Sequence, residues 1–508
     1  MNRIPPRRKS DAFRNTPKMK RILSSSWKIP LITLLALVAI HASVSAQDHA
    51  AKIDEFIGLY YDRGRFNGTA LVAEGGQVIY KKGWGMANKE WGISNEPDTK
   101  FRIASMSKQF TAMLIMQLVQ EGRIALDDKL TDYLPEFRRD TGDLVTIHHL
   151  LTNTSGLPDY SDAPGFWNEL MRHPMSSEFV IDSLSSGDLQ FQPGSEYRYN
   201  NGGFYLLSLI VQRATGRDFA EVLQEKIFQP LGMNDSGLDR PEVILEKRAT
   251  GYEQFVDGFE NAPYRQIDNL LGTGAIYSTV EDLYLWDRAL YTDRLLAPEY
   301  KEIMFTPFLQ NYAYGLGVKK IPLGDTGDST AYMGHSGSVA GFNSRIARMV
   351  EDEHVIVLLC NISEWTRLSD MTQGITNILY DLPYDVPKKS LAKALYNTFL
   401  KEGVNAALAE YHDFRETHAD TYDFDEDELN TLGYRLLRTD RIGEAIEIFT
   451  LNVKAYPESW NVYDSLGEAY FVNGNRELAL ENHKKSLELN PQQSKTALAI
   501  MLDKSKAK

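Results

Sequence analysis

The stretch Ser105-Met-Ser-Lys108-Gln-Phe-Thr-Ala-Met-Leu-Ile115 sets a serine and a lysine three residues apart at the head of an apolar helix. Residues three apart on a helix share a face, so the Lys108 amine comes beside the Ser105 hydroxyl. A serine is a weak nucleophile until a neighbouring group takes its proton. The helix N-terminus adds free N–H groups and the positive end of a dipole, both suited to an oxyanion. Spacing alone decides little, because the same pattern recurs at Ser25–Lys28, Ser390–Lys393 and Ser505–Lys508.

Its surroundings set the Ser105 occurrence apart. Upstream, Thr69-Ala-Leu-Val-Ala73 and Val78-Ile-Tyr80 read as two strands joined by a tight turn at Gly75-Gly76. Downstream, Arg345–Val350 and His354-Val-Ile-Val-Leu-Leu-Cys360 form a second hairpin signal. Helical segments such as Phe110–Glu121 and Phe204–Ala214 lie between. Strands at both ends with helices between predict an α+β fold, in which an antiparallel sheet carries flanking helices and an inserted helical region.

Two further motifs follow in order. Pro193-Gly-Ser-Glu-Tyr-Arg-Tyr199-Asn-Asn201 puts a Tyr-x-Asn in a turn entering a helix, and Gly334-His335-Ser336-Gly337-Ser338 precedes Gly341-Phe342 and the last hairpin. This trio resembles the serine β-lactamase and penicillin-binding-protein superfamily, more narrowly its class C β-lactamase, D-Ala-D-Ala carboxypeptidase and esterase branch. Thr146–Pro158, Ile227–Met233 and Tyr314-Gly-Leu-Gly317 agree with it, and the resemblance covers about residues 50–360.

The resemblance implies Ser105 as the nucleophile that forms an acyl-enzyme, and Lys108 as the group that holds the serine electrostatically or accepts its proton. It implies Tyr199 as the proton shuttle. A free tyrosine titrates near 10, so Tyr199 needs a nearby cation such as Lys108 to serve as a base. Asn201 would bond the lysine and a substrate amide. His335 and Gly337 would line the facing strand, with the N–H groups of Ser105 and Ser338 as the oxyanion hole. In true β-lactamases this strand motif usually begins with lysine. Here it begins with His335, which is expected to be charged only in part near neutral pH. That departure argues against efficient β-lactam hydrolysis but not against acyl transfer, and D-Ala-D-Ala carboxypeptidase, D-aminopeptidase, esterase and β-lactamase activities all stay open.

The two ends of the chain are of different character. Residues 1–46 hold nine of the 55 Lys and Arg and one of the 69 Asp and Glu, so residues 47–508 carry a net charge of −22. Such a body repels a phosphate backbone, and no nucleic-acid partner is expected. The basic stretch, the short apolar run Ile29–Ile40 and the small residues up to Ala46 read as a secretory signal peptide, with Met19 an alternative start. The expected location is periplasmic or secreted. At the other end, Leu432-Gly433-Tyr434 recurs as Leu466-Gly467-Glu468, Ala445 as Ala479, and Tyr456-Pro457 as Asn490-Pro491, each after 34 residues. That period resembles the tetratricopeptide repeat. Gly403–Leu408 reads as a degenerate earlier unit, displaced by an acidic insert at Asp420–Glu428. The predicted division is a signal at 1–46, a hydrolase domain at 47–382, a linker at 383–392 and an all-α repeat module at 393–508.

Other candidates carry less chemistry. His148-His149 suits a helix start, Ser155 a turn, and Asp127, Asp128 and Asp132 a capped loop. Cys360 reads as a small buried hydrophobe. The ten histidines show no metal-ligand spacing, so neither metal nor cofactor is expected. Three functions fit. The first is an exported serine hydrolase acting on a small-molecule or peptide substrate, cell-wall-derived peptides included. The second is a silent ligand sensor of the same fold. The third is an adaptor whose repeats hold a protein partner.

Overall fold

The computed structural model describes residues 31–363 and 367–490. The chain divides into two compact units, residues 1–47 and 48–508. The sheet, the cleft and the C-terminal helices all belong to the second. The export-signal reading falls largely on residues 1–30, which lie outside the described residues, as do Pro491 and the Ser25 and Ser505 occurrences. Among the described residues no helix is long and apolar enough to cross a membrane.

Six strands form the central sheet: β1 (Gly68–Glu74), β2 (Gln77–Trp84), β3 (Gly317–Pro322), β4 (Ser329–Val339), β5 (Phe342–Met349) and β6 (His354–Cys360). Their order is β3-β4-β5-β6-β1-β2, and every neighbouring pair is antiparallel. The sheet's first two strands in sequence thus close onto its last, as expected from the hairpins at either end. β6 is buried at all seven positions, which explains why it reads as a continuous apolar run without alternation. Val355, Val357 and Leu359 pack into the core around the inserted helices. Ile356, Leu358 and Cys360 face the opposite layer. That layer is built by helix α1 (Leu31–Asp62), through Ile53, Phe56 and Ile57, and by helix α4 (Leu368–Leu379), through Met371, Ile375 and Ile378.

Helices α2 (Ser107–Gln120) and α3 (Asn201–Thr215) form the centre of the inserted region. α2 is buried along nearly its whole length, so it behaves as a core helix and carries little amphipathic signal. After the sheet come three helix pairs: α5 (Leu391–Glu402) with α6 (Val404–Thr417), α7 (Glu426–Arg438) with α8 (Ile442–Ala455), and α9 (Trp460–Val472) with α10 (Arg476–Leu489). The second and third pairs repeat after 34 residues. Gly433 and Gly467 let the paired helices approach. A Cβ at either would sit 2.5 Å from the Phe449 ring or 2.9 Å from the His483 ring.

The acidic stretch at 420–428 is not wholly an insert. Asp425 caps α7 through the Asp427 N–H, and Glu426, Asp427 and Glu428 form its first turn. Negative charge there complements the free N–H groups and the helix dipole.

Gly68 sets the closeness of β1 to β6. A Cβ there would lie 1.9 Å from the Leu359 carbonyl oxygen and 2.7 Å from the Cys360 Cα, backbone atoms that cannot swing aside. Gly68→Ala is therefore expected to destabilise the protein by about 1–3 kcal/mol, the usual cost of overpacking. A urea unfolding midpoint unchanged from wild type would contradict this.

Candidate active site

Ser105 stands on a tight turn, Ala104–Met106, that leads directly into α2. Ala104 takes a φ of +46°, a strained value for a residue with a side chain. The turn is held from several sides. Ile103 N–H donates to the Ile276 carbonyl at 2.9 Å, Ser344 Oγ–H donates to the Ile103 carbonyl at 2.7 Å, and Ser107 Oγ accepts from Ile276 N–H at 3.2 Å.

Lys108, one turn along, is fully buried. Its Nζ donates to Ser105 Oγ at 3.1 Å, Asn201 Oδ1 at 2.9 Å and the Thr273 carbonyl at 3.1 Å. Three donors thus meet three acceptors. Nζ also lies 4.8 Å from the centre of the Tyr199 ring. Burial pulls the Lys108 amine down to about 7, with the Asp159 carboxylate opposing the shift. The amine is therefore partly neutral at physiological pH.

Asn201 begins α3, with Asn200 capping the helix by accepting from Gly203 N–H. Its amide is oriented by Asp159, which accepts from Asn201 Nδ2 at 3.1 Å and from the Asn201 and Gly202 backbone N–H groups at 2.9 and 3.1 Å. With Nδ2 committed to Asp159 and to Ser161 Oγ, Oδ1 must face Lys108 and Thr273 Oγ1.

Tyr199 is half-buried and hydrogen-bonds Ser105, yet burial raises its phenol well above the usual 10. The cation that Tyr199 needs in order to serve as a base does not act on it here: desolvation dominates, and only the Ser105 hydrogen bond opposes it.

His335 lies on β4 across the cleft. Its Nδ1–H donates to the Ser336 carbonyl, and Nε2 accepts from the Tyr312 hydroxyl at 3.4 Å. Burial, with Lys108 nearby, drives the imidazole down to about 4. The sequence suggested partial charge at neutral pH. The structure corrects this to a neutral ring, since the site desolvates it beside another cation.

The sequence-predicted residues Ser105, Tyr199, His335, Gly337 and Ser338 line one lobe of the cleft, of about 400 Å³, which Leu368 and Ser369 also line. A second lobe of about 330 Å³ extends past Tyr312 and Lys319. Arg345, opposite Ser336 on β5, lines both lobes, and its Nε is buried without a hydrogen-bond partner. Asp159, Thr273, Tyr312 and Arg345 were not recognisable from the sequence. Asp159 left only the trace of an aspartate opening a turn after Leu157-Pro158.

Gly337 fixes the gap between β4 and the Ser105 turn. A Cβ there would lie 2.2 Å from the Ile103 carbonyl oxygen and 3.0 Å from the Ala104 Cβ. Gly337→Ala should therefore push the strand off the turn. The expected result is labelling of Ser105 by a fluorophosphonate slowed about 100-fold, the effect of roughly 1 Å of misplacement, with the circular dichroism spectrum kept. Wild-type labelling kinetics would show that the close approach is incidental.

Comparison with known proteins agrees with the fold. The beta-lactamase family model matches residues 48–377. Penicillin-binding protein 4* of Bacillus subtilis (strain 168) is 30% identical over 381 residues, which cover 69% of this chain and 82% of that protein. A D-aminopeptidase of Gluconobacter oxydans is 30% identical and covers 67% of this chain and 64% of its own. The solved structure of a penicillin-binding protein from Bacillus halodurans superposes with a TM-score of 0.53 at 30% identity, covering 64% of this chain and 97% of that one. By sequence match, fold and motif order, the chain belongs to the beta-lactamase family.

Proposed function

We propose that the protein is an exported serine hydrolase of the class C-related branch, acting through an acyl-enzyme on an amide, peptide or ester. One observation carries the reading: a fully buried lysine, brought down to about 7, hydrogen-bonded to the hydroxyl of a serine that opens onto a cleft. Neutral Lys108 Nζ takes the Ser105 proton as Oγ attacks the substrate carbonyl carbon. The tetrahedral oxyanion is received by the N–H groups of Ser105 and Ser338. Tyr199, which keeps its phenolic proton, gives it to the leaving group as the carbon–heteroatom bond breaks, and is reprotonated from Lys108. Water then attacks the ester by the reverse route and frees Ser105. Asn201, oriented by Asp159, keeps an acceptor on Lys108 throughout.

The neutral His335 replaces a fixed charge with a hydrogen-bonding wall, and Arg345 becomes a cation available to a substrate carboxylate. Both features fit peptidase chemistry of the kind named in the D-aminopeptidase relative. The helix pairs with their 34-residue period are proposed to be tetratricopeptide-like. Residues 1–46 are proposed to direct export.

The test is covalent labelling of the purified protein. A fluorophosphonate or a fluorescent penicillin should add one acyl or phosphonyl mass to wild type and none to Ser105→Ala. Its rate should rise about tenfold per pH unit below 7 and level off above it, because only the neutral amine accepts the proton. No adduct with either probe, together with no turnover of esters, D-amino-acid peptides or cephalosporins, would overturn the reading. A rate flat from pH 5 to 9 would remove Lys108 from the role of base.

A further inference from the structure

The first turn of α4 borders two spaces. On one side Leu368 and Ser369 line the lobe that holds Ser105. On the other, Ser369 and Asp370 face a cavity of about 610 Å³, to which α7 of the C-terminal helices contributes Asn430, Thr431 and Tyr434. Ser369 lines both. The cavity falls in the size range of small-ligand sites.

Its walls are fixed to one another by charge. Arg65 donates to Asp423 and Glu428, both at 2.9 Å, and the second Glu428 oxygen accepts from Ser390 Oγ and Ala392 N–H. Arg367 reaches Asp423 and Asp425. Arg435 pairs with Asp257 and Glu260, and Arg438 approaches Glu253. Both of the last two guanidinium groups stack on Phe255.

Each arginine at this cavity therefore already faces a carboxylate, and an anionic ligand would gain little there. Asp370 and Asp427 line it as well, which further disfavours an anion. Two polar groups remain without partners. Arg65 Nε and Gln254 Oε1 are buried without hydrogen-bond partners, on side chains only 3% and 7% exposed. One is a donor and the other an acceptor, which is the pair that a peptide unit satisfies with its C=O and N–H.

We infer that this cavity binds the peptide chain of an extended substrate whose scissile carbonyl lies at Ser105, so that the C-terminal helices form half of a peptide subsite. The inference rests on the acyl-transfer reading above. Amide groups supply the missing acceptor and donor, and the flat guanidinium and Tyr434 surfaces accommodate a chain with no charge of its own.

The test uses the full-length protein and a ladder of peptidyl substrates lengthened from one residue to four at either end, with p-nitrophenyl acetate as a donor too short to reach the cavity. Wild type should gain at least tenfold in kcat/KM along one arm of the ladder. Thr431→Trp, which fills the cavity, and Gln254→Met, which removes the acceptor at similar length, should abolish that gain while p-nitrophenyl acetate is still turned over. A flat ladder in wild type, or a gain that survives Thr431→Trp, would overturn the inference. Failure of wild type to cleave p-nitrophenyl acetate or any rung would instead count against the hydrolase reading. Calorimetry with the tetrapeptide amide would then decide the cavity, through binding in wild type weakened tenfold by Thr431→Trp, or its absence.

Discussion

A lysine amine with no access to water dictates the arrangement around it. Lys108 Nζ needs acceptors for its protons, and those it has come from three separated parts of the chain: the Ser105 turn, the first residue of α3 and the Thr273 carbonyl. If one element moved, the amine would lose a partner inside the protein, where no water replaces it. The shift from about 10.5 to about 7 corresponds to roughly 5 kcal/mol of bias toward the neutral form. In the proposed mechanism that cost to the charged amine is also what lets it act, because a lysine at its ordinary value would hold its proton and leave Ser105 inert. Asp159 moderates the shift at one remove. It stands beyond Asn201, close enough to oppose desolvation but not bonded to Nζ, so Asn201 Oδ1 keeps its place as acceptor.

The sheet supplies the rigidity that such a network requires. β4 carries His335, Gly337 and Ser338 on the strand that passes the Ser105 turn, and Gly337 is where backbone meets backbone. The positive φ of Ala104 is kept because the Ile103, Ser107 and Ser344 bonds clamp the turn on every side. The strain sits at Ala104, beside Ser105, and is borne by the strands and by α2, which is buried almost throughout.

Much of this was legible in the sequence, for identifiable reasons. Hairpins reveal themselves locally, and a Ser-x-x-Lys at a helix start places its two side chains by helix geometry alone. The limits are equally physical. Ser390–Lys393 has the same spacing as Ser105–Lys108, yet its hydroxyl caps α5 and donates to Glu428. What distinguishes the two is burial of the lysine, which no local pattern encodes. The roles of Asp159 and Thr273 depend on approaches between segments 42 and 165 residues apart in sequence. His335 was misjudged because its charge is a property of the cavity around it rather than of the residue.

The acidic stretch at 420–428 shows how far such context extends. By composition it resembles a solvated insert, and Asp425 does cap an exposed helix start. Glu428, however, turns inward to a nearly buried position and joins Arg65, from the turn after α1, to Ser390 and Ala392 at the start of α5. Removing either partner of such a pair would leave a buried charge unmatched. The interaction therefore fixes where the C-terminal helices sit, whatever it adds to stability. Flexibly tethered helices could lie anywhere. Helices anchored by Arg65, Arg367 and Arg435 lie only here, against the first turn of α4. The same turn, through Leu368 and Ser369, lines the lobe containing Ser105, so one element borders both the docked helices and the cleft.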